Sequence, residues 1–77
     1  MTPRDRRLKR ILADPPEADF EDVRRVLEDH GWVLDRERGS HSTFVKEGEY
    51  PFVVPKSGGR KVKRMYLRKM IELLDLA

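Results

Sequence analysis

The four residues Arg38-Gly39-Ser40-His41 make the strongest case for chemistry in this chain. An imidazole with an unperturbed pKa of about 6.5 can accept or donate a proton near neutrality. Set among cations, such a ring can take the proton from a ribose 2′-hydroxyl or give one to a departing 5′-oxygen, and RNA cleavage needs both transfers. Arg36 and Arg38 lie just upstream of His41, and Lys56 and Lys63 add charge further along. Guanidinium and ammonium groups hold a phosphate and stabilise the charge that develops on it. Gly39 lets the backbone approach a ligand closely, and Ser40 shares the turn. Against this stands the plainer reading of His41 as a solvent-facing side chain in a small basic protein, which is the more frequent case.

Metal chemistry finds little support. The chain has no cysteine and two histidines, His30 and His41. They fall on different elements, and no thiolate completes a zinc ligand set. No metal and no cofactor is therefore expected. The lack of cysteine also removes disulfides and thiol catalysis and fits a reducing cytoplasm. His30 closes a helical stripe and reads as a dipole-complementing or half-buried residue.

The elements that must position these residues follow from periodicity. Thr2-Pro3-Arg4-Asp5 reads as a capped helix start, with Leu8, Ile11 and Leu12 on one face and Pro15-Pro16 as the stop. Three apolar residues cannot hold such a helix unless it docks. Asp19 reads as the next cap. Phe20, Val23, Val26, Leu27 and His30 then trace a second amphipathic helix, which Gly31 ends. After Gly31 the period becomes two. Trp32 and Leu34 alternate with Val33 and Asp35, residues 36–40 read as a turn, and His41–Lys46 and Tyr50–Val54 read as two further strands. Glu47-Gly48-Glu49 is a hairpin turn, and Pro51 points to an edge strand. Residues 56–60 read as a flexible basic loop. From about Lys63 a last helix buries Leu67, Met70, Ile71 and Leu74.

The expected fold is therefore α+β, a two-layer sandwich in the order α-α-β-β-β-α. It has a three-stranded antiparallel sheet with helices on one face. Along the middle strand His41, Thr43 and Val45 share one face and Phe44 takes the other, so His41 belongs to the uncovered side. With 77 residues, 38% of them apolar and 40% charged, the core must be small and the whole of 1–77 is expected to be one domain. No unbroken apolar run exceeds three residues. A membrane span needs about 20 and a signal-peptide core about 7–15, so neither is expected.

Charge is segregated. Residues 1–13 carry five basic and one acidic side chain, residues 14–29 two and seven, and residues 50–77 seven and two. From Tyr50 to Ile71 there is no acid. Such a block attracts a polyanion through counterion release, or simply forms a solvated face. It is expected to border the open sheet face, with the acidic block on the far side.

The stretch from Gly31 to Phe44, GWVLDRERGSHSTF, closely resembles the signature of HicA-type toxins: a glycine and an aromatic, then an arginine, then Gly-Ser-His, then an aromatic three residues on. Val54-Pro55, Lys63 and Leu67-Arg68 match the end of the third strand and the last helix. The resemblance covers residues 20–77, and residues 1–19 look like an N-terminal accessory helix and linker. It implies a fold similar to the double-stranded-RNA-binding domain and an mRNA interferase activity in which the matched His41 is catalytic. It also implies a HicB-type antitoxin partner that covers the site and supplies the DNA-binding part, so that DNA is met only indirectly. The chain departs from the pattern at Ser42, where many members carry a second histidine. It also departs at Lys63-Arg64-Met65-Tyr66, where Pro and Gly are common.

Three readings follow. The first is a metal-independent endoribonuclease toxin with catalytic His41 and RNA contacts from Arg36, Arg38, Gly39, Ser40, Lys56 and Lys63. The second is a non-catalytic module that binds RNA or protein. The third, direct DNA binding by the last helix, is weakened by the apolar face that helix commits to the core. Trp32 reads as core, Tyr66 as cover for the helix–sheet edge, and Tyr50 as either exposed or base-stacking.

Overall fold

The computed structural model describes residues 2–76. Helix α1 spans Pro3–Leu12 and starts with the expected reciprocal cap: the Asp5 amide donates to Thr2 Oγ1 (3.1 Å) and the Thr2 amide to Asp5 Oδ2 (3.3 Å). Its docking is both apolar and ionic. Ile11 is buried in the common core, and Leu8 packs against it. Arg4 reaches Asp29 at 3.3 Å, Arg7 reaches Asp22 and Asp29 at 3.7 Å, and Arg10 reaches Asp22 at 3.4 Å. Two acids of the acidic block, Asp22 and Asp29, are thus answered by α1.

Strand β1 (Glu17–Asp19) follows, then α2 (Phe20–Asp29), whose buried face is Phe20, Val23, Val26 and Leu27. Asp19 holds the N-cap position of α2 but makes no capping bond; its carboxylate accepts from Lys61 Nζ at 2.6 Å instead. At the other end the Gly31 amide donates to Glu28 O and the Trp32 amide to Leu27 O. These are the two bonds of a Schellman motif. The motif needs a left-handed residue, and Gly31 has φ +89°.

Strands β2 (Val33–Arg38), β3 (His41–Val45) and β4 (Phe52–Pro55) form an antiparallel sheet in that order. Two boundaries differ from the sequence-based expectation by more than one residue. β2 continues to Arg38, so that only Gly39 and Ser40 remain in the turn. β4 begins at Phe52, because Pro51 has no amide to offer the ladder. The sheet's inner side buries Ser42, Phe44 and Val54, with Trp32 edge-on to Phe52 at 6.5 Å.

Two further short strands lie outside the three expected ones. β1 pairs antiparallel with β5 (Lys61–Lys63), Ala18 opposite the fully buried Val62, in a separate two-stranded sheet. The observed order is therefore α-β-α-β-β-β-β-α. Three-residue strands next to Pro15-Pro16 and Gly58-Gly59 are too short to show an alternating pattern. Residues 57–61 form a closed turn, with the Ser57 amide donating to Lys61 O at 2.7 Å. Helix α3 (Arg64–Leu73) buries Leu67 and Met70 and half-buries Ile71 and Leu74, as its stripe predicts.

The helices' apolar faces and the sheet's inner side share one core, and the sheet's other face stays open. This is an α+β architecture compatible with the double-stranded-RNA-binding-domain fold. No helix among the described residues is long and apolar enough to cross a membrane.

Candidate functional site

The open face is built by a single irregularity. Leu34 pairs with Phe44, but the next pair is Arg36 with Thr43, so the ladder slips by one residue at Asp35. In a regular strand residues two apart share a face, and Arg36 and Arg38 would follow Leu34 inward. The bulge reverses their parity. Arg36 then shares the open face with Thr43 and Arg38 with His41, while Glu37 turns inward beside Ser42.

His41 is exposed at the first position of β3, with Arg38 opposite it on β2 and Pro55 opposite it on β4. The turn between Arg38 and His41 has a positive φ (+58°) at Gly39 and none at Ser40. That is the pattern of a type II′ hairpin, whose first central residue is glycine because a side chain there is strained. Ser40 O accepts from the Lys56 amide at 2.7 Å, which ties the turn to the end of β4.

The cations divide sharply. Arg38 makes no ion pair among the described residues, and Arg36 has only its exposed neighbour Asp35 at 3.8 Å. Lys63 is exposed on β5, opposite Glu17, and shares a surface hollow with Pro55. Lys56 is different: its side chain, 12% exposed, lies 3.6 Å from Glu37 and 4.6 Å from the centre of the Phe20 ring. The structure therefore groups Arg36, Arg38, Gly39, Ser40 and His41 on the open face, sets Lys63 at its margin, and turns Lys56 towards the inner side.

Much of the remaining basic block is already paired. Arg68 holds Asp14 through two bonds, Nε at 2.9 Å and Nη2 at 2.7 Å, and Arg64 stands 3.7 Å from the same carboxylate. The Arg68 hydrogen bonds hold the Asp14 carboxyl below its ordinary pKa, and Lys61 does the same for Asp19. Ser42 is fully buried, and its hydroxyl faces Glu37 Oε1 at 3.5 Å. His30 is half-buried and donates from Nδ1 to Val26 O at 2.8 Å. Among the described residues no three His, Asp or Glu side chains converge as a metal site. The sequence hint of the bulge at Asp35 is the run Asp35-Arg36-Glu37-Arg38, which has no apolar member to declare a face.

Residues 20–76 match the family model described as the HicA toxin of bacterial toxin–antitoxin systems. The chain belongs to the HicA toxin family. Its role as a HicA toxin implies an antitoxin partner. The match contains the entire β2–β4 sheet and α3, and it begins at Phe20, the first residue of α2. α1 and β1 lie outside it, although β1 supplies the pairing partner of β5 inside it. No curated protein and no solved structure matches this HicA chain.

Proposed function

We propose that this HicA toxin is a metal-independent endoribonuclease that cleaves mRNA in the cytoplasm, with His41 as its catalytic residue. One observation carries the reading: His41 is exposed on the uncovered sheet face, directly across from Arg38, which makes no ion pair among the described residues. In the reaction the 2′-oxygen attacks phosphorus as the bond to the 5′-oxygen breaks, and a proton passes from the one oxygen to the other. The His41 ring can accept that proton or deliver it. Arg38 and Arg36 hold the phosphate and stabilise its added charge. Gly39 and Ser40 bring the turn's backbone close to the strand of RNA, and Lys63 contacts a neighbouring phosphate. Lys56 braces the hairpin from beneath through Glu37 and the Ser40 carbonyl.

A HicB-like antitoxin is the proposed inhibitor. It covers the open face, and DNA is met only through its complex. The exposed Val53, across from Thr43, and Val33, at the far end of the same sheet, suit such a cover. Residues 1–19 act with 20–77 as one unit. Expression in bacteria tests the reading. Growth should arrest with the parent chain and should continue with His41→Ala at equal soluble yield. Arrest by both, at equal yield, would mean that the toxic function does not run through His41.

A further inference from the structure

A shallow hollow of about 400 Å³ lies beyond the free edge of β4, between the end of that strand and the start of α3. Pro55, Lys56, Ser57, Lys63, Met65 and Tyr66 line it. Three features set it apart. Its lining has no carboxylate, whereas each of four other surface hollows has at least one: Asp19, Asp5, Glu17 and Glu49 line them in turn. It is cationic, since Lys56 and Lys63 line it and Lys63 makes no ion pair among the described residues; Lys69 Nζ lies over the Tyr66 ring, 5.5 Å from its centre, where a stacked base would displace it. It also offers flat or soft apolar surface from Tyr66 and from Met65, which is half exposed.

Its position ties it to His41. Pro55 is the cross-strand partner of His41 and has no amide, so the two form a non-hydrogen-bonded pair. The Lys56 amide bonded to Ser40 O, one residue beyond, fits that pattern. Such pairs bring the Cα atoms to about 4.5 Å and the side chains closer than in a hydrogen-bonded pair. One wall of the hollow therefore adjoins the catalytic imidazole, with no element between.

We propose that this hollow seats the nucleotide next to the cleaved bond: an unpaired RNA base stacks on Tyr66 against Met65, and its phosphate lies on Lys63. The proposal rests on the ribonuclease reading above and adds a specificity subsite to it. An aromatic ring beside a lysine that makes no ion pair among the described residues, in a hollow lined by no acid, is what single-stranded RNA selects. A base held there must be out of any duplex, so single-stranded substrate is preferred over paired RNA.

The test is binding of a short single-stranded oligonucleotide whose 2′-hydroxyls are methylated, so that it cannot be cut, to the full chain. Tyr66→Leu should weaken binding by about tenfold and Tyr66→Phe should leave it unchanged. Lys63→Gln should lower the slope of log affinity on log salt by about one. Arg25→Gln, on the exposed face of α2, should do neither. Thermal melting of each variant establishes that it is folded. Because Tyr66 is half-buried, ultraviolet cross-linking of the bound oligonucleotide gives a second readout, with attachment expected within residues 63–66. Parental affinity in folded Tyr66→Leu and Lys63→Gln, cross-links elsewhere, equal weakening by Arg25→Gln, or no binding by the parent would overturn the subsite. These outcomes are separable from the catalytic reading, because the oligonucleotide reports binding alone. Loss of the Tyr66 effect with His41-dependent cleavage intact would remove the subsite and keep the nuclease. The reverse result would keep the subsite and remove His41.

Discussion

Leu34 and Arg36 are two residues apart, yet their side chains leave opposite faces of the sheet. Leu34 packs with Phe44 against the core, and Arg36 stands beside Thr43 on the open side. The extra residue, Asp35, carries the whole difference. Deleting Asp35 should give an uninterrupted ladder with Leu34 still opposite Phe44 and Arg36 still opposite Thr43. The expected outcome is a folded chain that keeps the cross-strand contact between Arg38 and His41 in NMR spectra and keeps its RNA cleavage. A re-registered strand that turns Arg36 and Arg38 inward would contradict this account of the bulge.

Arg38 and Lys56 should behave as opposites although both are cations near the same hairpin. Lys56→Ala removes a mostly covered ammonium from Glu37 and from the Phe20 ring. It should lower stability by about 1–2 kcal/mol in urea titrations. Arg38→Gln should change stability by less than about 0.5 kcal/mol. Its cost should appear in cleavage, slowed about ten- to a hundredfold. A stability loss for Arg38→Gln as large as that for Lys56→Ala would show that Arg38 is a structural residue.

The segment ahead of the family match is part of the core. Ile11 is 1% exposed and packs in the same cluster as Phe44 and Leu67. Ile11→Ala should therefore cost about 2–5 kcal/mol, a large share of what so small a domain has. Denaturant unfolding measures it directly, and a cost below about 1 kcal/mol would mean that α1 is only loosely applied.

Acid should loosen the same attachment. Asp14 and Asp19 have carboxyl groups held below their ordinary pKa, the first by Arg68 and the second by Lys61. A depressed folded-state pKa contributes stability that is fully present above the unfolded value of about 3.9. That contribution is lost as pH falls through the folded value. Melting temperatures should thus decline below about pH 4 for the parent. Asp14→Asn should start lower at neutral pH and decline less steeply. Parallel curves for the two proteins would contradict the role given to the Asp14–Arg68 pair.

The chain announced its larger elements clearly, for particular reasons. Phe20, Val23, Val26 and Leu27 repeat at helical spacing, and all four are buried. His41, Thr43 and Val45 alternate with Ser42 and Phe44, which fixed the open face correctly. What stayed hidden was short or non-local. Ala18 and Val62 meet across 44 residues of chain, in strands of three residues each, and no local pattern encodes such a pair. Lys56 sits in a basic stretch, but its fate is decided by Glu37 and Phe20, which only the folded sheet brings near. The basic block shrank for the same reason: Asp14 and Asp19 reach Arg68, Arg64 and Lys61 from the distant N-terminal segment.

The central claim is that the exposed imidazole opposite Arg38 cleaves RNA without a metal. Its most direct measurement is the cleavage rate of a defined single-stranded RNA by the purified chain in EDTA near neutral pH, for the parent and for His41→Ala, with both shown to be folded by circular dichroism and melting. Cleavage by the parent should survive EDTA and fall by at least about a hundredfold in His41→Ala. Binding of that RNA without cleavage by the parent, or equal rates for the two proteins, would contradict the claim.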